Sequence, residues 1–153
     1  MEITIIEADP ADAGELLTLQ RAAYLSEGAA SQSFTIPPLT ETLAEIRAAI
    51  GDVLVLKAVA GARIVGAARA RVQGDTCHVG RVAVAPDKQG LGIGTALLRA
   101  IEERRPEVAR YELFTGRYSA ANLRLYRRLG YVDLPEREHP VLVFLEKRVP
   151  PPN

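Results

Sequence analysis

Three glycines occupy alternate positions just before a segment with a helical pattern, in the sequence QGLGIGTALLRA of residues 89–100. Glycine is a poor helix former, so Gly90, Gly92 and Gly94 need another reason to stand there. The first N–H groups of a helix have no intrahelical partner and carry the positive end of the helix dipole, so they bind anions. Residues without a Cβ let a phosphate approach this backbone closely. The segment therefore predicts a phosphate-binding loop, and the alternative is a tight turn that needs glycines at the start of the helix.

The segment can be compared with three sequence patterns of phosphate-binding loops, and it matches them to different degrees. A P-loop ends in Gly-Lys-Ser/Thr, whereas Gly94 is followed by Thr95 and no lysine. A dinucleotide-binding G-x-G-x-x-G loop requires glycine or alanine where Thr95 stands, and it belongs to a parallel βαβ unit. Glu112, about 20 residues downstream, is the one feature that favours it. A third pattern, Q/R-x-x-G-x-G/A, is met by Gln89, Gly92 and Gly94 directly after the strand-like RVAVAP.

A second group of polar residues lies in SAANLRLYRRLGY, residues 119–131. Asn122 and Tyr126 are four residues apart, so both project from one face of a helix. Asparagine lowers helix propensity away from a cap, which favours a contact role for Asn122. The alternative for Tyr126 is a core aromatic residue beside Leu123 and Leu129.

These two segments, in this order, resemble the GNAT superfamily of N-acetyltransferases. The resemblance implies a mixed α/β (α+β) fold with a twisted, mostly antiparallel sheet of seven strands, about four helices and splayed central strands. It implies acetyl-CoA as co-substrate and no metal. It also implies transfer of the acetyl group to a primary amine of a small molecule or peptide by direct attack in a ternary complex. A non-catalytic module that binds or senses acyl-CoA is the alternative function, and a dinucleotide enzyme is a more distant one.

The resemblance assigns cofactor contacts residue by residue. The pantetheine arm would run along the main chain of Val82, Ala83 and Val84, and the pyrophosphate would lie in the loop formed by Gln89, Gly90, Leu91, Gly92, Ile93, Gly94 and Thr95. Asn122 would contact the cofactor, and Tyr126 would face the sulfur as general acid. A phenol of pKa ~10 gives its proton to a thiolate of pKa ~8.5 at a cost of about 2 kcal/mol, so a hydrogen bond is easier than full transfer. Lys88, Arg124 or Arg127 would reach the ribose phosphate, and spacing does not choose among these three.

The general base is left open by the pattern, although an ammonium of pKa ~10 must lose a proton before it reacts. Glu41, just after Pro37-Pro38-Leu39, is one candidate, and its alternative role is to complement a helix dipole. His78 is another because its pKa suits the task, and its alternative is a packed or surface residue. Strand alternation predicts that His78 shares a face with Gly80, Val82 and Val84. Glu112 is a third candidate, while Glu27 and Tyr24 are expected to shape the pocket.

The remaining pattern predicts the elements that position these residues. Strands are expected at 3–6, 53–60, 63–72, 76–85 and 110–115, with two more in YVDL and VLVFLEK. Helices are expected at 11–24, at 40–50 with a Thr42–Glu45 capping box, from the glycines to Arg105, and from an N-cap at Ser119 to Gly130. The segment 25–39 has no periodicity and predicts a long functional or mobile loop, or else a disordered connection. We expect one domain over 1–148 and a loose tail at 149–153.

Composition narrows the class of protein. A chain of 153 residues with 48% hydrophobic and 25% charged residues is typical of one globular domain. Its net charge of +0 gives no reason to expect a nucleic-acid partner. Cys77 is the single cysteine, which excludes an internal disulfide and predicts a small buried side chain. With no signal peptide or membrane-length apolar run, we expect a cytoplasmic protein without a membrane partner. A homodimer is one expectation, because members of the family often pair.

Overall fold

The computed structural model describes residues 2–151. Seven strands form one sheet in the order β1-β2-β3-β4-β5-β7-β6. They are β1 (Thr4–Glu7), β2 (Leu54–Ala60), β3 (Arg63–Gln73), β4 (Thr76–Val84), β5 (Arg110–Gly116), β6 (Val132–Asp133) and β7 (Leu142–Arg148). The α-helices are α1 (Ala13–Ser31), α2 (Pro37–Thr40), α3 (Leu43–Asp52), α4 (Ile93–Arg104) and α5 (Ala120–Arg128). The predicted mixed fold and its strand count are confirmed, and residues 2–151 contain five α-helices where about four were expected.

Two tight hairpins join β2, β3 and β4. Ala60 pairs with Arg63 and Gln73 pairs with Thr76, so each connection has two residues. Gly61 and Gly74 begin these turns with φ of 62° and 63°, a conformation that suits glycine. Both turns lie where the sequence predicts them.

The sheet has helices on both faces of its first four strands. Gly66 of β3 faces α4, since a Cβ at this position would lie 2.7 Å from Ile93. The next residue, Ala67, faces the other side, together with Leu16 of α1 and Ile46 of α3. This two-sided packing fixes the position of β4. No helix within residues 2–151 is long and apolar enough to cross a membrane.

The strands β4 and β5 lie side by side over only part of their length. They pair in parallel from Thr76 with Arg110 to His78 with Glu112, and not beyond. The second half of β4 therefore has a free edge towards β5. The predicted splay of the central strands is confirmed.

A bulge distorts β4 at the point where the splay begins. Arg69 pairs with Gly80 and Ala67 with Ala83, so β4 has one residue more than β3 over this interval. Arg81 lies inside it with φ of 50°, a left-handed conformation that is uncommon for a residue with a side chain. Such strain persists only where surrounding contacts hold it.

The bulge changes which side chains share a face of β4. His78 pairs with Arg71 of β3, and Val84 pairs with Gly66 of β3. Arg71 and Gly66 are five positions apart, and residues an odd number apart on a regular strand face opposite sides of the sheet. Their partners His78 and Val84 therefore also face opposite sides. The predicted common face holds for Gly80 and is wrong for Val82 and Val84, because the extra residue shifts the alternation.

The helix α1 continues well past its predicted end at Tyr24. It runs to Ser31 and ends at Gln32, whose φ of 57° closes it in a left-handed cap. The predicted loop over 25–39 is therefore wrong, since only a short connection precedes α2. The segment lacks an apolar stripe because Ser26, Glu27 and Ala30 line a cleft rather than the core.

Other element ends follow the sequence more closely. The Thr42–Glu45 capping box is present at the start of α3, with both hydrogen bonds formed. Gly130 follows α5 with φ of 100°, as expected after a helix C-terminus. The N–H of Val149 still donates to the Ala109 carbonyl at 2.8 Å, so the sheet extends slightly into the predicted tail. Pro152 and Asn153 of that tail lie outside the described residues.

Candidate active site

A cleft of about 530 Å³ opens where β4 and β5 part. Its walls come from α1, the end of β4, the glycine loop with the start of α4, and α5. Most residues predicted to bind a cofactor line it, namely Val82, Ala83, Val84, Gln89, Gly90, Gly92, Ile93, Gly94, Thr95 and Asn122. Leu91 does not line the cleft, and it is 60% exposed.

The glycine loop presents bare backbone to this cleft. Gly90 and Gly92 have φ of 78° and 85°, so both positions favour glycine for conformational reasons. Gly92 is the N-cap of α4 and supplies no side-chain cap. The first intrahelical bond runs from the Ala96 N–H to the Gly92 carbonyl at 3.0 Å. None of the N–H groups of residues 90–95 donates to an acceptor within the described chain, which leaves them free for an anion.

Glycine is needed at position 94 for packing, whereas Gly90 and Gly92 are favoured by their backbone conformation. A Cβ at this position would lie 3.1 Å from Leu125 Cδ2, so the glycine lets α5 approach the first turn of α4. This contact brings the two cofactor segments predicted from the sequence into one cleft. Asn122 of α5 lies at the same wall, where its Nδ2 donates to Thr115 Oγ1 at 3.3 Å.

Basic side chains line the walls of the cleft that are formed by the glycine loop and α5. Lys88 and Arg124 line it, as two of the three predicted phosphate contacts. Arg127 does not, and its guanidinium instead donates two hydrogen bonds to Asp133 at 3.0 and 2.7 Å. Arg128 lines the cleft and was missed, although its position four residues after Arg124 puts both on one face of α5.

Tyr126 lies just behind the cleft wall. Its side chain is 4% exposed, and its ring packs against Tyr131 at 6.0 Å between centroids. Burial, with the neighbouring Tyr24 and the charge of Glu27, raises the pKa of the Tyr126 hydroxyl well above its usual value. The hydroxyl is therefore a neutral hydrogen-bond donor at physiological pH, and its role as general acid stays a prediction.

Glu41 is held inside a network of ion pairs under α1. Its carboxylate accepts from Arg69 at 2.6 and 2.9 Å and from Gln20 at 2.9 Å, and Arg81 lies at 3.4 Å. Burial alone raises the pKa of this carboxyl, but these hydrogen bonds and the two arginine charges lower it to about 2. Glu41 does not line the cleft, and a carboxylate of this pKa is a weak base.

His78 and Glu112 also lie away from the cleft, where β4 and β5 are still paired. The Nδ1 of His78 is 3.3 Å from Glu112 Oε2. Glu112 is 8% exposed as a side chain and pairs with Arg137 and with Arg110. This cluster joins β5 to the segment before β7, and the structure does not bring it to the predicted cofactor residues.

Cys77, next to His78, is fully buried, and burial first of all raises the pKa of its thiol to about 11. It is a packed side chain of the core, as the sequence predicts.

Glu27 and Tyr24 of α1 do line the cleft. Glu27 Oε1 accepts from the Gly116 N–H at 2.7 Å and from Ser119 Oγ at 3.1 Å. Ser119 is the N-cap of α5, as predicted, but its hydroxyl binds Glu27 instead of capping the helix. The contact spans 92 positions, and no short-range pattern could have shown it.

Comparisons with known proteins agree with this geometry. The family model for the acetyltransferase (GNAT) domain matches residues 51–133, which include β4, the glycine loop and α5. Comparison with curated proteins gave no match.

Solved structures share the fold over nearly the whole chain. PaiA N-acetyltransferase of Thermoplasma acidophilum, solved with coenzyme A, has a TM-score of 0.86 and 16% identity, covering 97% of this chain and 100% of that chain. The ribosomal-protein-S18-alanine N-acetyltransferase of Escherichia coli has a TM-score of 0.80 and 17% identity, with 99% and 97% covered. YncA of Salmonella typhimurium, solved with its cofactor acetyl-CoA, has a TM-score of 0.73 and 21% identity, with 100% and 97% covered.

At such identities these structures establish a common fold, and the family match covers more than half of the chain. The chain belongs to the GNAT superfamily of acetyltransferases and is an acyltransferase.

Proposed function

We propose that this protein transfers the acetyl group of acetyl-CoA to a primary amine of a small molecule or peptide, by direct attack in a ternary complex. One observation carries the proposal. The main-chain N–H groups of residues 90–95 have no acceptor within the described chain and lie at a cleft with Lys88, Arg124 and Arg128 on its wall. A helix N-terminus of this kind binds a diphosphate. Structural neighbours solved with CoA or acetyl-CoA support the same co-substrate.

The residues of the cleft fit the parts of this co-substrate. The pyrophosphate would lie against the main chain of residues 89–95, where Gly90 and Gly92 expose the backbone, and Leu91 would contribute only its main chain. The nearby cations would bind the ribose phosphate. The edge of β4 at Val82, Ala83 and Val84 is not paired with β5, so the pantetheine arm would run along it. Asn122 would complete the wall opposite β4.

The chain's own groups would assist the transfer at two atoms. Acetyl-CoA supplies the activated acetyl group, and the bulge at Arg81 would turn the Val82 N–H towards the carbonyl oxygen, where negative charge develops. Tyr126 would donate a hydrogen bond to the sulfur as it leaves. Because burial raises the pKa of Tyr126, this support is more easily given by a neutral donor than by full proton transfer.

Glu41 and His78 are poor choices for the base in this arrangement. The paired Glu41 carboxylate, with a pKa of about 2, would hold Arg69 and Arg81 and so support the bulge. His78 would stabilise the paired half of β4 and β5. Their predicted catalytic roles therefore have less support than roles in positioning.

Several properties stay predictions. These are a cytoplasmic location, a homodimer, the lack of a nucleic-acid or membrane partner, the lack of a metal, and a single domain over 1–148.

Two measurements test the proposed function. Isothermal titration should show binding of acetyl-CoA and CoA but not of NADH, which would bind instead if the loop served a dinucleotide. Free thiol should then be released from acetyl-CoA in the presence of members of a broad panel of primary amines. Binding of acetyl-CoA without thiol release for any amine would favour a module that binds acyl-CoA without turnover.

A further inference from the structure

The charges that line the cleft are arranged unevenly. Lys88, Arg124 and Arg128 lie on the walls formed by the glycine loop and α5. Glu27 is the one acidic residue among the described residues that line the cleft, and it comes from α1. A cleft with cations for a polyanionic co-substrate and one separate carboxylate has two binding regions of opposite preference.

Hydrogen bonds fix the Glu27 side chain, but no basic side chain within residues 2–151 forms an ion pair with it. Its Oε1 accepts from the Gly116 N–H at 2.7 Å and from Ser119 Oγ at 3.1 Å, which fixes the side chain at the end of β5. No hydrogen bond to Oε2, and no ion pair to Glu27, is formed by any residue in the range 2–151. One carboxylate oxygen is thus free to bind a ligand.

Two arginines close to Tyr24, which lies beside Glu27 in the cleft, are already paired. Arg69 and Arg81 both bind the carboxylate of Glu41. The hydroxyls of Tyr24 and Tyr126 also lie near Glu27, and burial keeps both protonated. Glu27 is therefore an unpaired anion beside hydrogen-bond donors, and a cation is the complementary ligand.

We propose that Glu27 binds the ammonium group of the acceptor, so that the acceptor is a primary amine that arrives as a cation. This inference rests on the proposed function and adds a residue to it. Gly116 closes the end of β5, so Glu27 stands beside the opening between β5 and the free edge of β4. An amine held there lies between the carboxylate and the strand that would present the thioester.

The protons balance in this arrangement. The amine nitrogen forms a bond to the acetyl carbon while the bond from that carbon to sulfur breaks. An ammonium loses two protons in becoming an amide. The first leaves through the Glu27 carboxylate to solvent before attack, which frees the lone pair of the nitrogen. The second becomes acidic once the nitrogen has bonded to carbon, and it ends on the departing sulfur as a thiol. Glu27 is then a catalytic residue in the strict sense, because it touches the reacting nitrogen.

The matched variants are Glu27→Gln and Ser119→Ala. Glutamine has a side-chain oxygen that accepts the same two hydrogen bonds, so E27Q removes the charge and keeps the contact with β5. S119A removes one of these hydrogen bonds and keeps the charge. With the best amine of a panel running from ethylamine to spermidine, E27Q should raise KM for the amine about 10- to 100-fold, the value of a charge-assisted hydrogen bond. KM for acetyl-CoA and the melting temperature should stay close to wild type, while kcat of E27Q should fall because the proton acceptor is lost. S119A keeps the charge but loses one of the two hydrogen bonds that hold it, so it should raise KM for the amine less than E27Q does.

A binding measurement without turnover completes the test. Titration of the same amine into protein saturated with CoA should show weaker binding to E27Q by a similar factor. If E27Q does not fold, the wild-type protein should bind the alcohol that matches the amine at least about tenfold more weakly than the amine itself. Wild-type amine KM in E27Q, or equal binding of alcohol and amine, would overturn this inference alone. Absence of thiol release by the wild-type protein with every amine would overturn the proposed function as well.

Discussion

Substitution of Gly92 by alanine separates conformational strain from loss of a ligand site. The residue has φ of 85°, and a Cβ there would meet no heavy atom within 4 Å, so the methyl group would project into open space. The left-handed conformation costs an L-residue about 1–2 kcal/mol, which lowers the melting temperature of a chain of this length by roughly 2–8 °C. The same methyl group would displace a phosphate from the free N–H groups. Loss of one such charge-assisted bond, about 1.5–3 kcal/mol, weakens CoA binding about 10- to 100-fold.

Gly74 provides the matched control. It has φ of 63° in the turn between β3 and β4, a Cβ there would also meet nothing within 4 Å, and it does not line the cleft. Gly74→Ala should therefore lower the melting temperature by a similar amount and leave the Kd for CoA unchanged. Isothermal titration and thermal unfolding of both variants give the comparison. Equal CoA affinity in both variants would refute the assignment of the glycine loop.

Three further changes test other parts of the structure. Tyr126→Phe should lower turnover about 10- to 1000-fold in a thiol-release assay with little change in acetyl-CoA affinity, and wild-type turnover would return Tyr126 to a purely packing role. Glu41→Gln should destabilise the fold at neutral pH by about 1–2 kcal/mol after allowance for solvent screening. Because the pKa of Glu41 is lowered from 4.5 to about 2, this deficit should shrink in denaturant titrations as the pH falls over that range, and a deficit independent of pH would contradict the ion-pair assignment. Gly66→Ala should cost about 1–3 kcal/mol because its Cβ would lie 2.7 Å from Ile93, whereas Gly80→Ala, with open space around it, should not; equal denaturation midpoints would refute the packing argument.

Local rules explain the elements that the sequence predicts well. The Thr42–Glu45 capping box and the hairpins at Gly61 and Gly74 depend on a few neighbouring residues, and all are present. The second half of α1 could not be predicted this way. Its residues line the cleft rather than the core, so the apolar periodicity that marks a helix is missing although a helix forms.

Long-range contacts decide the features that the sequence did not reveal. The bulge at Arg81 inverts the alternation of β4, and the pairing that supports it comes from Glu41, 40 positions away. Glu27 likewise meets Gly116 across 89 positions. The residues predicted for the cofactor loop do line one cleft, because a glycine loop followed by a helix is a local motif. The residues predicted as bases were chosen by type and by an expected loop and strand alternation that do not form, and neither Glu41 nor His78 lines that cleft.

A crystal structure of the protein with acetyl-CoA would show directly which groups hold the diphosphate. We expect the diphosphate within hydrogen-bonding distance of the main-chain N–H groups of residues 90–95, with the thioester beside Val82 and the amine side of the cleft open at Glu27. Coenzyme bound elsewhere, or a loop whose N–H groups contact no phosphate in the complex, would contradict it.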